Sequence, residues 1–161
     1  MSEPIRSWEG RFFEDFTVGD VYRHAHGRTV SEADNTWFTL LTNNTHDIHF
    51  NADYASRTEF GRPLVVSTLT LAIVTGLSVS DVSQNAVANL GWDEVKLTAP
   101  VFAGDTIYAE SEVLEARPSR SRPGQGLVRV RTRGFNQDDR TVITYERTVL
   151  VYTRAARPET R

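Results

Sequence analysis

Val65-Val66-Ser67-Thr68-Leu69-Thr70-Leu71-Ala72-Ile73-Val74-Thr75-Gly76-Leu77-Ser78-Val79 is the stretch on which the fold turns. Its Val, Ile and Thr content favours a strand by propensity alone. Its length and its apolar character on nearly every side favour a buried helix instead. Ser67 or Thr68 is the expected N-cap, and Asp81 and Ser83 lie near the far end. Gly61-Arg62-Pro63 breaks the chain just before it. From Ala86 onward the hydrophobic period changes to two. Ala86–Pro100, Thr106–Ala116, Leu127–Gln137 and Arg140–Thr153 read as strands. Gly104-Asp105 and Gln137-Asp138-Asp139 supply turns, and Arg117–Gly126 a longer loop. One buried helix followed by four long strands predicts an α+β fold, a long curved antiparallel sheet wrapped around a central helix.

Upstream of the helix, Phe12–Gly19 is a polar-aromatic lead-in that ends at the turn Gly19-Asp20, and Val21–Thr29 reads as one short strand. His24 and His26 alternate on a face of that strand, where an exposed or half-buried position is expected. Ser31 is placed as the N-cap of a helix running to about Leu41, with Glu32 and Asp34 in its first turn. Ala33, Trp37, Leu40 and Leu41 would form its buried face at i, i+4, i+7, i+8 spacing. Thr42–His49 is too rich in Asn and Asp to continue the helix, and Asn51 caps a short second one.

The chain has 161 residues, which fits one domain over 1–161, large enough to bury a core without disulfides or metal. It contains no cysteine, which excludes thiol nucleophiles, cysteine-zinc sites and iron–sulfur clusters. Of the 18 basic residues only Lys96 is a lysine, and it sits in a strand-like run beside Glu94, a poor candidate for Schiff-base chemistry. A net charge of −3 and a pI near 5.8 give no basic field for nucleic acid or an anionic membrane. Met1–Gly10 has no apolar core of a cleavable signal, and the longest apolar stretch is shorter than the roughly 20 residues that span a bilayer. A cytoplasmic protein is expected.

The chemistry is concentrated in Thr42-Asn43-Asn44-Thr45-His46-Asp47-Ile48-His49. His49 can serve as a general base, since imidazole titrates near neutral pH and can take a proton from water. Asn44 could hold that water through its carboxamide. A histidine that merely hydrogen-bonds loop backbone is the bland alternative. His46-x-x-His49 with Asp47 lacks the helical register of a zinc motif, so no metal site is assigned.

Thr42–His49 resembles the signature Ser-Gly-Asp-x-Asn-Pro-(Leu/Ile/Val)-His of the MaoC-like dehydratases and (R)-specific enoyl-CoA hydratases. Two further blocks agree in order and spacing. Phe60-Gly61-Arg62-Pro63-Leu64-Val65 resembles the segment leading into that family's central helix, and Lys96–Thr106 resembles its strand-turn block ending in Gly-Asp. Together the blocks cover about Asp15 to Tyr152. The resemblance implies the hot-dog fold and reversible addition of water to a trans-2-enoyl-CoA, giving an (R)-3-hydroxyacyl-CoA. It implies no metal or redox cofactor, coenzyme A entering only as part of the substrate.

Carried over by position, His49 falls on the catalytic His, Asn44 on the catalytic Asp, and Ser67 on the glycine whose backbone N–H serves the oxyanion hole. Free N–H groups at a helix start suit a thioester carbonyl that becomes an enolate. Asn44 cannot accept a proton as Asp would, and His46-Asp47 replace Asn-Pro. Three readings stay open: His49 is the sole base and Asn44 positions water; Asp47 supplies the carboxylate, sharing a face with His49 in an extended segment; or catalysis is lost and the chain only binds acyl-CoA. A thioesterase fits poorly, because Val65–Ser80 has no Asp or Glu.

Arg62, Arg120 and Arg122 are candidates for the coenzyme A phosphates, with a solvated loop the alternative for the last two. A neutral Asn44 would also spare a dicarboxylyl-CoA the repulsion of an Asp, which ranks mesaconyl-CoA and itaconyl-CoA beside crotonyl-type chains. An unpaired sheet edge predicts at least a homodimer, with sites at the interface, as the resemblance also implies.

Overall fold

The computed structural model describes residues 8–158. The opening stretch read for a signal lies largely outside them, in residues 1–7. The order of elements is β1 (Val21–Arg23), β2 (Arg28–Thr29), α1 (Glu32–Thr42), α2 (Ala52–Ser56), α3 (Ser67–Leu77), β3 (Ala86–Leu97), β4 (Thr106–Pro118), β5 (Gln125–Phe135) and β6 (Thr141–Tyr152). The sheet runs β1-β4-β5-β6-β3, with β2 beside β1 on the same edge of β4, and all pairings are antiparallel. The four long strands lie within a few residues of their expected places. No helix among the described residues is long and apolar enough to cross a membrane.

The helix read from Val65–Val79 is α3, which the inward faces of the strands cover. Its N-cap is Val66 rather than Ser67 or Thr68, and no side chain caps it. Val79–Ser83 continues beyond its end as a π-helical turn. Gly134 on β5 is what lets helix and sheet approach: a Cβ there would stand 2.5 Å from Val74 Cγ2.

The inward residues of the sheet form three bands across its strands. Near the start of α3, Val30, Val65, Leu69, Val74, Val101, Ile107, Ala109, Val142, Ile143 and Tyr145 make one apolar cluster. Past its end, Phe16, Val82, Val113, Val128, Val130, Val149 and Val151 make another. Between them lies a buried polar stripe of His24, Ser78, Ser111, Thr132 and Arg147. His24 Nδ1 lies 2.9 Å from Asp81 Oδ2 and its Nε2 3.0 Å from Ser111 Oγ, which is 2.8 Å from Thr132 Oγ1. Arg147 Nη2 donates to Ser78 Oγ at 2.9 Å, setting a fully buried cation beyond the C-terminus of α3, where helix carbonyls favour positive charge.

His24 is therefore buried, not exposed or half-buried as the alternation suggested. The single strand expected over Val21–Thr29 is broken at 24–27, and His24 lies on the inward side that half-buried Tyr22 already faces, against Ser111 of β4. Burial pushes the His24 pKa down despite the raising effect of Asp81. Burial works against ionised Asp81, yet hydrogen bonds from His24 and Arg11 hold its carboxyl below the usual range.

α1 begins as read, with Ser31 Oγ accepting from the Asp34 N–H. Its buried face is not the one the apolar spacing picked out. Trp37, Leu40 and Leu41 are 65%, 68% and 79% exposed, and Ala33 is exposed as well. The helix turns Asn35 and Thr39 inward, with Phe38 against the first cluster. Periodicity identifies which face of a helix is apolar, but not what covers it.

Candidate active site

The polar stretch after α1 is folded by its own amides. Asn43 ends α1 in the left-handed conformation at φ 53°, and Asn44 Oδ1 accepts the His46 N–H at 3.1 Å. His46 Nδ1 accepts from the Ile48 N–H at 3.2 Å, capping a short 3-10 turn over Asp47–His49. Asn51 Oδ1 then caps α2 by accepting from Tyr54 N–H at 3.0 Å. His46 also packs edge-on against His49, with ring centroids 5.8 Å apart.

His49 Nδ1 lies 2.7 Å from the Leu64 carbonyl. A carbonyl only accepts, so Nδ1 carries the proton, and neutral His49 presents an unprotonated Nε2. That Nε2 has no hydrogen-bond partner among the described residues. Leu64 in turn lines a hollow of about 290 Å³ with Phe60, Val65, Ser67, Thr70 and Thr98. His49 and the start of α3 are thus joined through one peptide group. Leu64 forms an isolated bridge with Phe102, and Val65 N–H donates to the Val101 carbonyl, tying this lead-in to the Lys96–Thr106 block.

The other candidates divide. Asn44, half-buried, lines a separate hollow of about 360 Å³ with Thr36, Thr39, Leu40, Thr45 and Phe50. Asp47 is exposed, and the extended geometry that would align it with His49 is absent because the three residues form a 3-10 turn. Arg62 stacks its guanidinium 3.9 Å above the centre of the Phe102 ring, and Phe102 packs on Phe60 at the hollow. Arg120 and Arg122 belong to the β4–β5 hairpin loop at the opposite end of the sheet. Gln125 beside that loop pairs with Tyr152, whereas Ile143 lies level with the start of α3, a separation of about 30 Å along β6 at 3.3 Å per residue. Within one chain these two arginines do not reach the hollow.

Asn35 escaped the sequence reading. It is 3% exposed, donates to the carbonyls of His49 (2.8 Å) and Leu64 (3.1 Å), and accepts the Val66 N–H (2.9 Å). Its only trace in the sequence is a weak helix former in the body of a capped helix. Lys96 pairs with Glu94 at 3.2 Å on the exposed edge strand, remote from any nucleophilic setting.

The mesaconyl-CoA hydratase family matches residues 6–160. A mesaconyl-CoA hydratase of Cereibacter sphaeroides is 39% identical over 142 residues, covering 88% of this chain and 41% of the relative. The crystal structure of a MaoC domain protein dehydratase from Chloroflexus aurantiacus superposes with a TM-score of 0.88 at 35% identity, over 98% of this chain and 46% of that one. A Mycobacterium tuberculosis protein described as having a double hot-dog fold superposes with a TM-score of 0.83 at 24% identity, over 94% of this chain and 47% of that one, a likeness of fold alone. The chain spans less than half the length of the curated mesaconyl-CoA hydratase it matches. The sheet around α3 is the hot-dog fold, and the chain belongs to the mesaconyl-CoA hydratase family of MaoC-like hydratases and dehydratases.

Proposed function

We propose that this chain is a single hot-dog unit over residues 1–161 acting as a hydro-lyase on trans-2-enoyl-CoA thioesters, with mesaconyl-CoA the first candidate substrate. The observation that carries the reading is the Leu64 peptide, which holds His49 Nδ1 and leads directly into the start of α3. In this reaction His49 Nε2 takes a proton from water while the oxygen bonds to the β-carbon. The double-bond electrons move onto the thioester oxygen, which the Ser67 N–H at the start of α3 receives as an enolate. The proton on Nε2 is then delivered to the α-carbon, closing the cycle without metal or redox cofactor. Asn44 lines the neighbouring hollow and its Oδ1 is taken by the His46 N–H, so Nδ2 is the atom left to orient the water. The neutrality of Asn44 spares a substrate carboxylate on the β-carbon the repulsion an Asp would exert. Arg62, held on Phe102 at the hollow, meets a phosphate of coenzyme A.

The same reading seats a second hot-dog unit, a copy of this chain in a cytoplasmic homodimer, on the open edge of β3 and the apolar face of α1. Leu90, Trp92, Val95 and Leu97 are exposed along that edge, and Trp37, Leu40 and Leu41 on that face. The matched mesaconyl-CoA hydratase is more than twice the length aligned here, which supports a two-unit assembly. A subunit that binds acyl-CoA without catalysis is the second reading, favoured by Asn44 at the acid position. A thioesterase is disfavoured: Ser67–Leu77 has no carboxylate, and Asp81 is engaged by His24 and Arg11 beyond the far end.

Loss of absorbance at the enoyl-thioester band, followed with mesaconyl-, itaconyl- and crotonyl-CoA, tests the assignment. Turnover of at least one, abolished in His49→Ala with unchanged circular dichroism, is expected. No turnover of any would sustain the binding-subunit reading, and near-wild-type turnover by His49→Ala would remove His49 as base.

A further inference from the structure

We propose that Asn35 is a positioning residue for this reaction, a single carboxamide that holds the base and the oxyanion donor in one frame. The proposal rests on the reading of His49 as base and deepens it. Asn35 projects from α1 and touches the two segments that carry the chemistry. Its Nδ2 donates to the His49 carbonyl at 2.8 Å and to the Leu64 carbonyl at 3.1 Å, while Oδ1 accepts from the Val66 N–H at 2.9 Å.

All three partners are main-chain groups, so the carboxamide acts on the backbone of both segments directly. The Leu64 carbonyl accepts from both Asn35 and His49 Nδ1, which uses both of its lone pairs. Val66 is the N-cap of α3 and immediately precedes Ser67. Asn35 therefore fixes the acceptor that sets the His49 tautomer, the main chain of His49 itself, and the residue before the oxyanion donor. The three main-chain partners call for two donors and one acceptor, and the carboxamide provides them without charge. Asn is a poor helix former and is 3% exposed here, so neither helix propensity nor solvation accounts for it.

Three proteins test the idea: the wild-type chain, Asn35→Ala and Asn35→Asp. The aspartate keeps the size and the Val66 bond but turns an acceptor toward two carbonyls. Steady-state kinetics would use whichever enoyl-CoA the wild type hydrates, and 15N-histidine NMR would read the His49 tautomer directly. In the wild type His49 should show the Nδ1–H form. Both variants should lose about 10²-fold in kcat with KM moving less than about threefold, as displacement of a catalytic group by about 1 Å does. Their His49 signals should shift to mixed tautomers while thermal unfolding stays cooperative. A purely structural Asn35 would lower stability but leave kcat per folded molecule and the tautomer unchanged, and that result overturns the proposal. So does a wild-type His49 found in the Nε2–H form, which needs no variant to fold. If His49→Ala stays active while Asn35→Ala still shifts the tautomer, the base assignment fails and the clamp stands.

Discussion

Replacing Gly134 by alanine should damage the protein chiefly through its contact with Val74, and in a Val74→Ala background the same replacement should cost little more. Gly134 is buried on β5 directly beneath α3. An added Cβ would lie 2.5 Å from Val74 Cγ2 and 2.8 Å from the Cγ2 of Ile143, its cross-strand neighbour. Either α3 lifts from the sheet or both side chains leave their rotamers, and overpacking of this kind costs about 1–3 kcal/mol. Val74 is fully buried, and Val74→Ala alone removes two methyl groups worth about 0.8 kcal/mol each. With the cavity left behind, that variant should lose about 2–3 kcal/mol. In the double variant the new methyl occupies space the valine vacated, and only the contact with Ile143 remains tight. Its stability should stay close to that of Val74→Ala, a coupling of about 2 kcal/mol between the sites. Urea unfolding at 25 °C measures all three, and the melting point should fall by about 2–4 °C per kcal/mol for a chain of this size. The reasoning is refuted if the two single losses add within about 0.5 kcal/mol, or if Gly134→Ala alone costs less than that.

Asn44→Asp should leave the melting point nearly unchanged, raise turnover of a crotonyl-type thioester and lower that of a dicarboxylyl-CoA; equal changes in kcat/KM for both would remove the electrostatic argument. Stability should fall with acid in two steps of the same sign. His24 binds its proton less readily folded than unfolded, so its contribution is whole above about pH 6.5 and declines below it; Asp81, with a lowered carboxyl, loses its own as pH drops below about 3.8. Urea midpoints across pH 3–8 check this, and His24→Gln should flatten the upper step. Finally, if the proposed homodimer forms on the open strand, Trp92→Glu should give a monomer and abolish activity together, while a stable, fully active wild-type monomer of 18.1 kDa in light scattering would defeat that proposal.

The fold was legible because α3 and the four long strands carry strong, opposite periodicities. A buried helix apolar on nearly every side and strands of alternating character leave few other arrangements. The terminal regions of those elements were less legible. Val66 caps α3 with no side chain on the helix's first N–H groups, and its own N–H goes to Asn35 from a different helix, a partner 31 residues away that no local pattern reports. The capping signals of α1 give its start but its apolar spacing gives the wrong inward face, since Asn35 turns inward onto the main chain of His49, Leu64 and Val66 and leaves Trp37, Leu40 and Leu41 exposed. His49 stood out by its chemistry among amides. The reading that sets Asp47 beside His49 in an extended segment loses its geometry, because a 3-10 turn rotates successive side chains by about 120° and i and i+2 diverge. Arg120 and Arg122 were grouped with Arg62 by charge alone, although the length of β6 sets them far apart.

The polar stripe through His24, Ser111, Thr132 and Arg147 works like a bulkhead between two watertight holds. The valines beyond it, from Val113 to Val151, pack as a cluster separate from the one that supports Leu64, Val66 and the start of α3. Drift or redesign among those valines can therefore proceed with little disturbance to the reacting end. Changes in the stripe itself reach both compartments at once. The molecule thus has a hold whose cargo can be rearranged to tune stability, and another whose contents are fixed by chemistry.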